Sequence, residues 1–151
     1  MAISRGAGTE IIRCASFEYV ASETTARDLI IGVQYHIYTV LSVVCFCNAT
    51  GANLMVHLYG YDVLGGDVTQ TMEIFHTSIG TDNVDNSTFV FNDKFSFNGF
   101  GPASFTGPMN DATKQDAVAD QGGTVQKLRM AKGHAAAQWH VHLTYIDQNN
   151  S

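Results

Sequence analysis

The chain has 151 residues, 45% of them hydrophobic and only 15% charged, enough for one domain that buries roughly 68–70% of the surface its unfolded chain exposes without disulfide or metal staples. Eight basic residues against fourteen acidic ones give a net charge of −6, and the basic residues are scattered, Lys127, Arg129 and Lys132 forming the densest group. That balance repels a nucleic-acid backbone. The longest apolar-rich run, residues 37–47, is broken by Thr39 and Ser42 and falls short of the ~20 residues that cross a bilayer, so no membrane span is expected. The first eight residues lack a charged segment followed by a long apolar stretch, so no secretory leader is expected and synthesis in a cytoplasm follows.

Residues 1–9 form a small-residue arm, and residues 10–151 are read as a single domain. The first predicted strand covers residues 10–20, where Ile11, Ile12, Phe17, Tyr19 and Val20 favour β structure. Residues 29–48 are the most β-branched and aromatic block and exceed the usual 5–6 residues of a strand. They are read as two strands broken near residues 32–35, or as one long bent strand. Around Val40 to Phe46 both faces are apolar, which implies cover from both sides or from a neighbouring subunit. The turn at residues 48–53 leads straight into residues 54–61, and this predicts an antiparallel hairpin. Further strands are predicted at residues 69–77 and 88–97, and residues 99–107 read as irregular. Residues 110–119 are the one candidate helix, capped by Asn110 or Asp111 and stopped by Gly122 and Gly123. Residues 124–130 and 138–147 complete the series; in the last, apolar and more polar side chains alternate from Trp139 to Ile146, a pattern only a pleated strand sorts onto two faces. Seven or eight strands with turns every 8–12 residues predict an all-β fold, an antiparallel sandwich or jelly roll with at most one short helix.

His140 and His142 are two apart on one strand, so both imidazoles leave on one face, and His57 is expected on an adjacent strand. Three such imidazoles can ligate zinc or iron. A jelly-roll metal site also needs a carboxylate a few residues further along, and after His142 only Asp147 is available. The three are therefore read as surface or interface histidines and no metal is expected; at a subunit contact they would weaken assembly at mildly acidic pH. Cys45 and Cys47 share a strand face and could join His140 and His142 around zinc, but structural zinc sites take paired cysteines from C-x₂₋₄-C knuckles. Their separation along one strand also lies at the edge of disulfide geometry. With Cys14 they are read as buried reduced thiols. Residues 82–86 have the oxygen ligands calcium favours without the full loop pattern, and the sequons at Asn48 and Asn86 are read as turns. No nucleophile elbow, phosphate loop or dinucleotide fingerprint occurs, and Asp111, Asp116 and Asp120 are read as a solvated helix face, so neither catalysis nor a cofactor is expected. Trp139 shares its face with Val141, Leu143 and Tyr145, which favours a core position over a sugar-stacking platform.

The stretch Tyr35-His36-Ile37-Tyr38-Thr39-Val40, the turn Asn48-Ala49-Thr50-Gly51-Ala52, the strand Leu54-Met55-Val56-His57-Leu58 and the closing His140-Val141-His142-Leu143-Thr144-Tyr145 together resemble small tailed-bacteriophage virion β-proteins. The resemblance covers about half the chain. It departs where Leu41-Ser42-Val43-Val44 continues the strand in place of a Pro-Ala-Gly turn. The resemblance implies a non-enzymatic virion protein, made in the host cytoplasm, that decorates or cements an assembled head. The implied partner is the major capsid protein or another virion protein, with self-association, a trimer being the expected form. A carbohydrate- or receptor-binding tip on a fibre or tail, using Trp139, Tyr59, Tyr61 or residues 95–105, is the alternative; a metal-dependent jelly-roll enzyme is the third. The arm is too poor in apolar side chains to make core, so Ala2, Ile3, Ser4 and Arg5 are expected to add backbone hydrogen bonds to a neighbour's sheet edge.

Overall fold

The computed structural model describes residues 9–20, 22–23, 25–49, 52–60, 71–78, 86–100, 125–133 and 137–149. Among them are nine strands: β1 Thr9–Tyr19, β2 Arg27–Ile31, β3 His36–Cys47, β4 Asn53–Tyr59, β5 Thr71–Ser78, β6 Ser87–Phe91, β7 Phe95–Asn98, β8 Lys127–Lys132 and β9 Trp139–Asn149. They form two antiparallel sheets. The first has the order β1-β9-β3-β6, with β7 also on β3; the second has the order β2-β8-β4-β5. The predicted all-β sandwich stands, and the break at residues 32–35 separates β2 from β3 as expected. The predicted helix at 110–119 lies outside the described residues, as do the calcium-like loop at 82–86 except Asn86 and the arm at 1–9 except Thr9, which opens β1.

The two sheets face each other across one apolar layer. From the first come Tyr19, Val40, Val43, Cys45, Trp139, Val141 and Leu143; from the second come Leu54, Val56, Leu128 and Met130, all buried. Alternation along each strand sends these residues inward and their neighbours outward. In β3 the alternation changes phase: Tyr38 and Val40 are buried, then Val43, Cys45 and Cys47. A register shift against β9 between Val40 and Ser42 accounts for this. The bulge adds one residue to β3, and both halves keep their apolar side chains in the core.

Two expectations about the strands change. Residues 48–53 do not close a hairpin, because β3 lies between β9 and β6 in the first sheet while β4 lies between β8 and β5 in the second. Both strands have strongly apolar inner faces, and placing them in opposite sheets buries one face against the other. The single strand predicted at 88–97 is two, β6 and β7, interrupted at Asn92, Asp93 and Lys94. Both pair antiparallel with β3, β6 along residues 43–47 and β7 along residues 37–40, so the interruption falls opposite the β3 bulge.

A chain of backbone hydrogen bonds crosses one end of the sandwich. Gly32 N–H donates to the Gln126 carbonyl at 2.7 Å, Gln126 N–H to the Gly99 carbonyl at 2.9 Å, and Gly99 N–H to the His36 carbonyl at 2.8 Å. A Cβ at Gly32 would collide with the Gly99 carbonyl oxygen. Glycine is needed there for closeness of approach.

Candidate interaction surface

Parity along the strands decides what each sheet shows on its outer face. On the first sheet, β9 turns out His140, His142 and Thr144; β3 turns out Val44 and Phe46; β6 turns out Thr88 and Val90; β1 turns out Ile12, Cys14, Ser16 and Glu18. Phe46 packs against His140 with ring centroids 6.0 Å apart, and Ser16 Oγ is hydrogen-bonded to His142 Nδ1 at 2.8 Å. Between them lies an open depression of about 410 Å³, lined by Ser16, Glu18, Val44, Phe46, His140 and His142. Among the described residues that line it, Glu18 is the one carboxylate, and it accepts a hydrogen bond from Gln138 Nε2.

The outer face of the second sheet has the opposite character. Asp28 of β2 pairs with Arg129 at 2.5 Å and Lys127 at 3.5 Å, both on β8. The Arg129 guanidinium also sits 4.4 Å over the Tyr59 ring. Glu73 lies between His57 at 3.7 Å and His76 at 3.3 Å. Apart from Ile31, exposed at the end of β2, this face is a lattice of compensated charge whose charged groups have partners within the chain.

His57 is therefore not beside His140 and His142. It stands on the outer face of the other sheet, because β4 pairs with β8 and β5 rather than with β3. Asp147 cannot join the two histidines either: it lies at odd parity on β9 with Trp139, Val141 and Leu143, and so faces away from them. Cys45 and Cys47 are likewise separated from His140 and His142 by the thickness of the sheet, since they point into the core. Among the described residues no three His, Cys, Asp or Glu side chains converge as metal ligands, and no helix is long and apolar enough to cross a membrane. Cys45 and Cys47 are buried and in no disulfide, as expected, and burial pushes the Cys45 thiol up to about 12. Cys14 departs from the expectation, since it is exposed. Trp139 is fully buried, which removes it as a sugar platform, and Tyr59 lies beneath Arg129.

Two buried charged side chains, Asp147 and Lys132, act as internal ties, a role that spacing along the chain assigned to neither. Asp147 is 2.6 Å from His36 Nδ1 and accepts from Arg13 Nε at 3.0 Å, tying β1, β3 and β9 together at one end of the first sheet. Next to it, Tyr38 is pushed up to about 12 by burial and then by the Asp147 charge, and its hydroxyl accepts the Val33 N–H at 3.1 Å. Lys132 closes the other end. It is inward on β8, and its ammonium donates to the Val20 carbonyl at 2.5 Å and the Ala137 carbonyl at 2.8 Å, 4.8 Å over the Tyr19 ring. Burial holds it below the usual lysine value. The signal for both is a charge at an inward parity, which only an internal partner can satisfy.

No protein-family model and no curated protein matches the chain. Among solved structures it is similar to a chain from Bacillus endospore appendages, described as disulfide-linked pili, with 14% identity over 100% of this chain and 97% of that one, at a TM-score of 0.41. It is also similar to a chain of infectious bursal disease virus, Gx strain, with 9% identity over 95% of this chain and 37% of that one, at a TM-score of 0.38. Neither is a phage protein, and the resemblance to phage virion β-proteins is met by no family match.

Proposed function

We propose that the chain is a non-enzymatic structural virion protein, a decoration or cement protein that binds an assembled phage head. The supporting observation is the difference between the two outer faces. The second sheet satisfies its charges internally, whereas the first presents Val44, Phe46, Thr88, Val90, His140 and His142 with little charge, and Val90 is 57% exposed. Interface centres are depleted in charged residues and enriched in aromatic ones. In this reading the first-sheet face lies on the capsid, and the arm residues Ala2, Ile3, Ser4 and Arg5 extend a strand along the edge of a neighbouring sheet. Binding only the assembled shell shifts the assembly equilibrium toward it by mass action.

The test is the thermal stability of capsids with and without the purified protein. Bound protein raises the temperature at which shells fall apart, and Phe46→Glu, which puts a carboxylate at the centre of the face, abolishes both binding and the increase. Identical melting in the presence of saturating protein rejects the reading.

A further inference from the structure

Four strand edges bound the two sheets, and three carry features that discourage pairing with another chain. β2 has five residues and a register shift between Asp28 and Ile30. β5 is shifted against β4 between Val56 and His57 and presents Glu73 and His76. The far edge of the first sheet is split into β6 and β7 by Asn92, Asp93 and Lys94. β1 has none of these. Its eleven residues pair with β9 in unbroken register from Thr9 opposite Asn149 to Tyr19 opposite Trp139, and no described strand lies on its other side. Ile11 and Ile12 stand 48% and 69% exposed on its two faces, and its only cation, Arg13, is engaged by Asp147.

We propose that β1 is the contact between two copies of this chain, which pair β1 to β1 antiparallel about a twofold axis and join two first sheets into one. The strand's own sequence supports a second copy as the occupant. Full overlap of Thr9–Tyr19 with itself centres the axis on the middle residue, Cys14, which is exposed and in no disulfide, its sulfur 3.8 Å from Thr144 Oγ1. Ile11 then faces Phe17 of the second copy, an aromatic against β-branched pair of the favourable kind, and Ile12 faces Ser16. Arg13 faces Ala15, so no cation meets a cation. The one unfavourable pair is Glu10 facing Glu18 at each end, both exposed and therefore screened by salt. A twofold contact is self-limiting, because each copy's edge is consumed by the other and none remains for further addition. The proposal rests on strand geometry and stands or falls independently of attachment to a particle.

Directly opposed residues of an antiparallel pair have Cα atoms ~4.5–5.5 Å apart, within the span of a disulfide, so Cys14 reports the register. The purified full chain is treated with oxidised glutathione. The two Cys14 thiols give up two protons and two electrons, one sulfur–sulfur bond joins the chains, and the oxidant leaves as two glutathione thiols. The expected result is a covalent dimer that dithiothreitol reverses and that Cys14→Ser abolishes, while Cys14→Ser still sediments as a non-covalent dimer. In that background Ser16→Cys cross-links poorly, because its opposite residue is Ile12, and Ile12→Lys sediments as a monomer with an unchanged far-ultraviolet circular dichroism spectrum. A monomeric Cys14→Ser protein, a Ser16→Cys variant that cross-links as readily as Cys14, or an Ile12→Lys variant of unchanged mass each overturns the proposal. Loss of capsid binding with the dimer intact would instead fall on the proposed function alone.

Discussion

Replacing Lys132 by methionine sets two opposed effects against each other. Methionine relieves the burial of an ammonium, and exchanging buried charge for a hydrophobe of similar volume is often neutral or stabilising. Against this, Nζ donates to two carbonyl oxygens and lies over the Tyr19 ring, contacts worth about 1.5–3 kcal/mol for a charged hydrogen bond and about 0.5–2 kcal/mol for the cation–π contact. What the variant leaves behind decides the sign. The Val20 carbonyl retains a 3.3 Å hydrogen bond from Glu23 N–H, whereas the Ala137 carbonyl loses its ammonium donor, at about 1–3 kcal/mol for an unsatisfied buried acceptor. The expected net loss is about 2 kcal/mol. For a domain of this size that lowers the melting temperature by about 4–8 °C, measured by calorimetry and by urea unfolding at constant m-value. The pH dependence gives a second readout. Because burial holds the folded pKa of Lys132 below 10.5, the folded protein releases this proton before the unfolded chain does. Its contribution to stability therefore rises as pH climbs from the folded value to 10.5, then levels off, and the neutral amine still has N–H donors for both carbonyls. Lys132→Met lacks that rise. A variant that melts at or above the wild-type temperature would refute the assignment of Lys132 as a tie between the β1–β2 and β8–β9 connections.

Alkaline stability carries a signature of Tyr38. The unfolded chain loses the phenol proton near 10 while the folded protein keeps it to about 12, so stability is unaffected below pH 10 and falls as pH rises from 10 toward 12, by of order 2 kcal/mol. Tyr38→Phe should be less stable at neutral pH, having lost the acceptor for Val33 N–H, yet show a flatter alkaline decline in denaturant titrations; an equally steep decline contradicts the assignment. Thiol titration separates the three cysteines. One group, Cys14, reacts rapidly with Ellman's reagent in the native protein and all three react after unfolding, because burial keeps Cys45 as an unreactive thiol and Cys47 is sealed in the core. Two or more fast native thiols would contradict the inward parity of β3.

The two-sheet fold was legible because its signals are local. Alternation in Trp139-His140-Val141-His142-Leu143 is a property of one strand, and the inward burial of Trp139, Val141 and Leu143 follows from it. The break near Gly32 was legible from a glycine between β-branched runs, and contact explains it, since the Gly99 carbonyl leaves no room for a side chain. Partner choice was not legible. The turn at residues 48–53 looks the same whether it folds β4 back beside β3 or carries it to the other sheet, and that choice placed His57 away from His140 and His142. The β3 bulge was hidden for a related reason: one inserted residue reverses the parity of everything after it, so Val40 and Val43 both point inward, while Val44 and Phe46 make the outer face apolar as read. Asp147 was misjudged by distance along the chain when parity was the better guide, because an odd-numbered position on β9 faces the core with Trp139.

Copy number in purified particles tests the structural role most directly. Quantitative mass spectrometry against the major capsid protein should find this chain in fixed proportion to the shell subunits, in hundreds of copies per particle. A handful of copies would place it on a tail, and its absence from particles, with a monomer in the cytosol turning over a small molecule, would contradict the account.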